Sequence, residues 1–290
     1  MALTTWLGRR PPLLRAGAGE PRDKLDAVAA ITGCVCAGLL VAAIFAPLIA
    51  PYRPDAIDAL AINQGPTAAH LLGTDSLGRD VLSRLLYGAR LSLLGPALVT
   101  VLSTTLGTAI AIAGSWLGGT ADRLMARFLD ILFAFPSILI AVLAVIAFGT
   151  GLTAPVIALS VAYTPYIARV IRSAAVHERQ LPYIEACQLL GFSSYRTAIN
   201  HLLRNVRLLI IAQATITFGY ALLDLAAISF IGLGVQPPTA DWGVMVSEGS
   251  SSLINGYLSE TLAAGAAIVL TVVAFNVLGE RLATRSQGKQ

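Results

Sequence analysis

Charge is what this sequence has least of. Only 12% of its 290 residues are Asp, Glu, Lys or Arg, against 56% hydrophobic residues and a mean hydropathy of +0.74. A soluble domain carries about 25% charged residues, so the balance excludes a soluble globular protein and predicts a polytopic, all-α membrane protein. Cysteine is nearly absent. Cys34 and Cys36 sit in an apolar run and Cys187 in a polar stretch, so neither a disulfide framework nor a metal spacing is available. His70, His177 and His201 are scattered. The one Gly-Lys pair, Gly288-Lys289, lies at the C-terminus outside any GxxxxGK[ST] phosphate loop. HExxH and the nucleophile elbow are missing too. The reading is therefore a chain that is not an enzyme, with no catalytic residue and no cofactor or metal of its own. The net charge of +4 comes from cations at the ends of apolar runs, which argues against nucleic acid as a partner.

Six apolar runs are present. A bilayer core of about 30 Å needs roughly 20 helical residues. Residues 25–50, 91–117, 128–148, 152–171, 206–231 and 262–282 meet that need. Phe135-Pro136 is expected to kink the third span and Thr164-Pro165 the fourth. Residues 1–24 and 283–290 read as tails, and 51–90 as an outer segment. An even number of spans puts both termini on one side. With that side inside, sixteen of the twenty Lys and Arg are internal, and only Arg53, Arg79, Arg84 and Arg90 are external. The positive-inside rule thus predicts a cell-membrane protein with cytoplasmic termini. It also places the polar stretch around residue 190 in the cytoplasm.

That stretch, residues 183–206, reads YIEACQLLGFSSYRTAINHLLRNV. A short helix over 183–190 is predicted to end at Gly191, at positive φ. Ser193 or Ser194 can cap a second helix. Its Tyr195, Ala198, Ile199, Leu202 and Leu203 form an apolar stripe, with Arg196, Asn200 and Arg204 opposite. Glu185, the one acid in a cationic loop, is expected to fix it through a hydrogen-bonded or charged contact. Glu185-Ala186, the Gly191 six residues after Glu185, and the apolar run around His201 before Asn205-Val206 resemble the EAA loop of ABC-importer permeases. Cys187 replaces the second Ala and Arg204 the usual Pro, so the second helix should continue into the next span. The resemblance implies a type I importer fold with a coupling helix docked in a groove of a cytoplasmic ATPase. Tyr183, Glu185, Ala186, Cys187, Gly191 and Arg196 would be the coupling residues.

Two outer stretches narrow the resemblance. Residues 73–93, GTDSLGRDVLSRLLYGARLSL, read as an amphipathic helix lying in the interface, capped by Thr74, Asp75 or Ser76. Residues 228–249, ISFIGLGVQPPTADWGVMVSEG, read as a helix end at Gly232 and Gly234, kept from resuming by Pro237-Pro238. Both resemble the dipeptide/oligopeptide/nickel branch of these importers, in its member with a short outer segment. The branch implies a second homologous permease, two ATPase subunits (or one fused ATPase) that bind ATP and Mg, and a substrate-binding protein or lipoprotein outside. Dipeptides or oligopeptides are the expected cargo, with glutathione or a nickel or metal chelate as alternatives. A channel or secondary transporter would need intramembrane ion ligands or inverted repeats, and neither is seen.

Asp224 is the one plainly ionisable residue deep in a span, with Tyr220 one turn earlier on the same face. An intramembrane acid faces the bundle interior or water. It is read either as a contact in the translocation path or as a structural hydrogen bond. Asp241, Trp242 and Glu248 are candidate contacts for a delivering receptor, with Trp242 at headgroup level. With Glu260, Asp241 and Glu248 would alternatively be simple negative-outside solvation. Arg169 and Arg172 read as snorkelling anchors or ATPase contacts.

Overall fold

The computed structural model describes residues 22–287, without the side chains of residues 22–27, Ala121, Gln188, Ser194, Tyr195 and those from Arg285 on. Residues 1–21 of the expected N-terminal tail and 288–290 of the C-terminal tail lie outside the described residues. Helix is the only regular element longer than an isolated bridge among the described residues. Helices α1 (Arg22–Ile44) and α2 (Ala46–Ile49) are followed by a long loop and by α3 (Val81–Leu117), α4 (Gly119–Phe133), α5 (Ser137–Phe148) and α6 (Thr153–Arg179). Then come two short helices, α7 (Pro182–Leu189) and α8 (Ser194–Thr197), and a π-helical turn, Ala198–Leu203. The turn runs without a break into α9 (Arg204–Phe230), and α10 (Trp242–Ile254) and α11 (Ser259–Gln287) complete the fold.

Four helical runs are long and apolar enough to cross a membrane: α3, α6, Ala198–Phe230 and α11. The α4–α5 pair passes the same test as one broken span, bent by 78°. The break falls where Pro136, which has no N–H to donate, precedes α5. Thr164-Pro165, by contrast, stays inside the continuous α6. Among the described residues four or five spans thus meet the test, against the six expected; the first apolar run is represented there by Val28–Ile44 of the 23-residue α1, which ends where the chain bends at Phe45.

The expected interfacial helix is also corrected. Residues from Val81 on belong to the single 37-residue α3, and its cap is Asp80, whose carboxylate accepts from the Ser83 amide. Residues 73–80 instead make a tight turn. The Asp75 carboxylate accepts from the amides of Leu77 at 2.8 Å and Arg79 at 2.9 Å. Gly78 stands at φ +79°, where an added Cβ would lie 2.0 Å from the Asp58 carbonyl oxygen. Only glycine fits there.

Three cores hold the bundle. One, with Val81, Leu93, Phe218, Leu222, Trp242, Met245 and Ile268, joins α3, α9, α10 and α11. Phe218 and Phe275 stack with ring centroids 4.0 Å apart. A second, with Val99, Val145, Leu159, Leu225 and Ile228, joins α3, α5, α6 and α9. A third, with Ala111, Ile167, Ile171 and Val206, reaches the α7 end. Helices α6 and α9 therefore pack together and flank the α7–α8 element.

Candidate functional site

The α7–α8 element is built around one left-handed residue. Gly191 ends the first helix at φ +77° with open space where a side chain would go. The Phe192 amide bonds back to the Cys187 carbonyl at 3.1 Å. Ser193 caps α8, its hydroxyl accepting from the Arg196 amide at 3.3 Å. Ile184, Cys187, Ala198 and Leu202 are buried, anchoring the inner side. The π turn departs from the expected stripe, because five-residue spacing leaves Ile199 exposed while Ala198 and Leu202 stay inside. On the outer side Leu189 is 89% exposed and Leu190 follows it, with Glu185, Ala186 and Arg196 also at the surface.

Glu185 does not fix this element within the chain. It is exposed and makes no hydrogen bond or ion pair among the described residues. Glu178, a residue that sequence reasoning missed, does so instead. Buried at the end of α6, its carboxylate accepts from Tyr183 Oη at 2.7 Å and from Asn205 Nδ2 at 2.7 Å. Asn205 also donates to Tyr183 Oη at 2.9 Å. Burial first, then the Glu178 carboxylate, pushes the Tyr183 phenol well above its usual range. The triangle ties the end of α6, the start of α7 and the start of α9 together. Its one sequence signal was an isolated acid, Glu178, among the cations Arg169, Arg172 and Arg179.

The cations of α6 also have internal partners. Arg172 binds both carboxylate oxygens of Asp122 on α4. Arg169 pairs with Asp130 at 2.6 Å and lies over the Phe133 ring, 4.5 Å from its centroid. They lash α4 to α6, where lipid anchoring or an ATPase contact was expected.

Asp224 lines a second site. Its carboxylate accepts from Ser137 Oγ at 2.8 Å and Tyr163 Oη at 2.9 Å. Around it Phe133, Phe135, Tyr166 and Tyr220 line an open cavity of about 430 Å³ at the α4–α5 bend. Tyr220 is on the predicted face. Ser137, Tyr163 and Tyr166 were missed because each reads as an ordinary apolar-span residue until the bend at Pro136 brings them together. Asp224 thus combines both readings left open by the sequence: it is hydrogen-bonded between helices and it faces a polar, aromatic cavity.

Of the three candidate receptor contacts, Asp241 and Trp242 are buried and Glu248 is half-buried. Asp241 is buried and caps α10, accepting from the Gly243 and Val244 amides and from Ser92 Oγ at 2.6 Å. Trp242 is 2% exposed, packed in the core with its indole N–H on the Leu85 carbonyl at 2.9 Å. Glu248 pairs with Arg79 at 3.0 Å and Arg84 at 2.5 Å. Burial raises the carboxyl pKa of Asp241 and of Glu248, the latter opposed by the Arg79 guanidinium. These acids satisfy internal donors, so simple solvation does not describe them.

A helical membrane protein with a surface-presented helix–glycine–helix element, rigidly based on two helices that also line a cavity, has the build of a transport subunit. Residues 103–289 match the family described as binding-protein-dependent transport system inner membrane component. Residues 27–66 match the N-terminal transmembrane domain of oligopeptide transport permease C. A putative peptide transport system permease protein of Brucella suis biovar 1 is 38% identical over 244 residues, 84% of this chain and 82% of that one. A glutathione transport system permease protein of Pectobacterium atrosepticum is 35% identical over 256 residues, 88% and 85% of the two chains. A probable D,D-dipeptide transport system permease protein of Escherichia coli K12 is 36% identical over 242 residues, 83% and 81%. The chain belongs to the family of binding-protein-dependent inner membrane components, as an ABC-importer permease of the dipeptide/oligopeptide branch.

Proposed function

We propose that this chain forms half of the translocation path for dipeptides or short peptides, and that ATP hydrolysis by partner subunits drives it through α7 and α8. The observation that carries the reading is that the same two helices serve both sites. Helix α6 bears Tyr163 at the cavity and Glu178 at the coupling base; α9 bears Asp224 and Asn205. At 1.5 Å per residue the two sites are about 22 Å apart along α6 and about 28 Å along α9. A shift of the coupling element therefore moves the cavity walls as rigid rods, with α4 carried along by Arg169 and Arg172.

The exposed Leu189, Leu190, Glu185 and Arg196 supply apolar and charged contacts for the groove of an ATPase. Six spans with cytoplasmic termini, a paired second permease and an extracytoplasmic binding protein complete the assembly. In the cavity the Asp224 carboxylate is suited to a peptide α-ammonium, and the rings to apolar side chains. The similarity to a glutathione permease supports a second cargo of the same size class.

The test is reconstitution in proteoliposomes with the partner permease, the ATPases and the binding protein. Peptide uptake should require all components, and ATP hydrolysis by this chain alone should be absent. Uptake that persists without the ATPases would remove the reading.

A further inference from the structure

At the end of the bundle opposite α7, two guanidinium groups and two carboxylates close a network. Arg79 and Arg84 each donate to both Asp75, at 2.5 and 2.9 Å, and Glu248, at 3.0 and 2.5 Å. The charges of these four groups cancel. Glu260, in the first turn of α11, is an additional acid beside them. It is only 4% exposed, and neither carboxylate oxygen has a hydrogen-bond partner among the described residues. The Asn63 Oδ1, likewise buried and without a partner, belongs to the same cavity, about 210 Å³ in volume, with Gln64, Thr74, Ser252 and Tyr257 on its walls. Asn63 is the one non-glycine residue at positive φ, +51°, among those described. Asparagine tolerates that conformation better than most residues.

A buried charge without a partner is among the most unfavourable things a fold can contain. Three unsatisfied acceptor oxygens around one polar cavity define a site for a positive species. We propose that this cavity binds a monovalent hard cation of the sodium class, held by the Glu260 carboxylate and the Asn63 carboxamide oxygen. The donors are all oxygen, which suits hard cations. No group of three or more His, Cys, Asp or Glu among the described residues is placed to hold a metal, which disfavours a transition metal. Ionised, Glu260 brings one charge to be neutralised, because Arg79 and Arg84 already cancel Asp75 and Glu248, and the cation takes the place of a proton on its carboxyl group. The expectation of no bound metal rested on Cys and His spacing, which this site does not use. Bound there, the cation ties the 58–80 loop, through Asn63, to the start of α11.

The test measures the thermal unfolding midpoint of the assembled importer in choline chloride at pH 8. Sodium, potassium or calcium chloride is then substituted at constant ionic strength. Sodium should raise the midpoint by several degrees and saturate. Glu260→Gln should abolish the sodium-dependent shift. Asn63→Ala, which leaves the carboxylate, should raise the half-saturating sodium concentration at least tenfold and keeps the test open should Glu260→Gln not assemble. Equal midpoints in sodium and choline would overturn the proposal, as would a sodium shift retained in Glu260→Gln. Stabilisation by calcium alone would overturn the monovalent assignment. If acidification in choline gives the full effect and sodium adds nothing, Glu260 holds a proton and the cation site does not exist.

Discussion

Three acids in this chain look alike on paper and do different work. Asp224 holds Ser137 and Tyr163 across helices. Its replacement by Leu leaves both hydroxyls without an acceptor, at about 1–3 kcal/mol, whereas Asn keeps one acceptor oxygen. Asp224→Leu should thus lower both membrane abundance and uptake. Asp224→Asn should keep abundance and impair uptake of free peptides more than of N-acetylated ones; uptake of the two peptide forms checks this. Equal loss for both would leave Asp224 a purely structural role. Glu178 and Glu185 form the other contrast. Tyr183→Phe removes the bond donated to the Glu178 carboxylate, about 1.5–3 kcal/mol, together with the one accepted from Asn205, and should loosen the coupling base, seen as a lower unfolding midpoint. Glu185→Ala removes no hydrogen bond or ion pair among the described residues, so stability should change by no more than about 0.5 kcal/mol while uptake falls. Normal uptake by Glu185→Ala would mean that its carboxylate contacts no other subunit. The sequence marked Asp224 because an acid in an apolar run is conspicuous. It could not separate Glu178 from Glu185, because which of two nearby acids turns inward depends on the angle between α6 and α7.

At the scale of the element, the helix–glycine–helix reading was legible because a single residue type sets it. Gly191 was expected at positive φ and stands at +77°. An added Cβ there meets nothing within 4 Å, so the penalty of a substitution is purely conformational. For a β-branched residue in that region it is about 1–2 kcal/mol, too little to unfold the bundle and enough to re-aim α7. Gly191→Val should assemble normally, lose ATPase co-purification and lose uptake. Gly191→Asn, which tolerates the left-handed region, should retain most of both. Matching behaviour of the two variants would detach transport from the backbone angle. The amphipathic 73–93 segment shows the opposite case. Its polar face was real, but Arg84 is 0% exposed. The partners that bury it, Asp75 and Glu248, lie 9 and 164 positions away along the chain. Periodicity reports that a helix has two faces and says nothing about whether the polar one meets water or another charge. Trp242 was misplaced for the same reason: a Trp near a span end fits the headgroup layer and a core equally well.

For the whole molecule, the pattern of charge carries the orientation. Sixteen of twenty cations fall on the side of α7 when the termini are inside and the α4–α5 pair, bent by 78°, crosses as one span. The structure adds where the charges end up: Arg79 and Arg84, half of the four cations that this orientation puts outside, are neutralised internally by Asp75 and Glu248. That strengthens the asymmetry, since a cation held in an ion pair pulls less on the inner face. The test uses two exposed positions on opposite ends of the bundle, Leu190 and Ser250. In a background with Cys34, Cys36 and Cys187 replaced, Ser250→Cys should react with a membrane-impermeant maleimide in intact cells. Leu190→Cys should react only after the membrane is opened, and addition of the ATPase subunits to opened membranes should protect it, because α7 is then covered. Labelling of Leu190→Cys in intact cells would invert the topology and put the coupling element out of reach of any ATP-driven partner. Labelling of Leu190→Cys that the ATPases leave unchanged would keep the topology but separate this element from the drive.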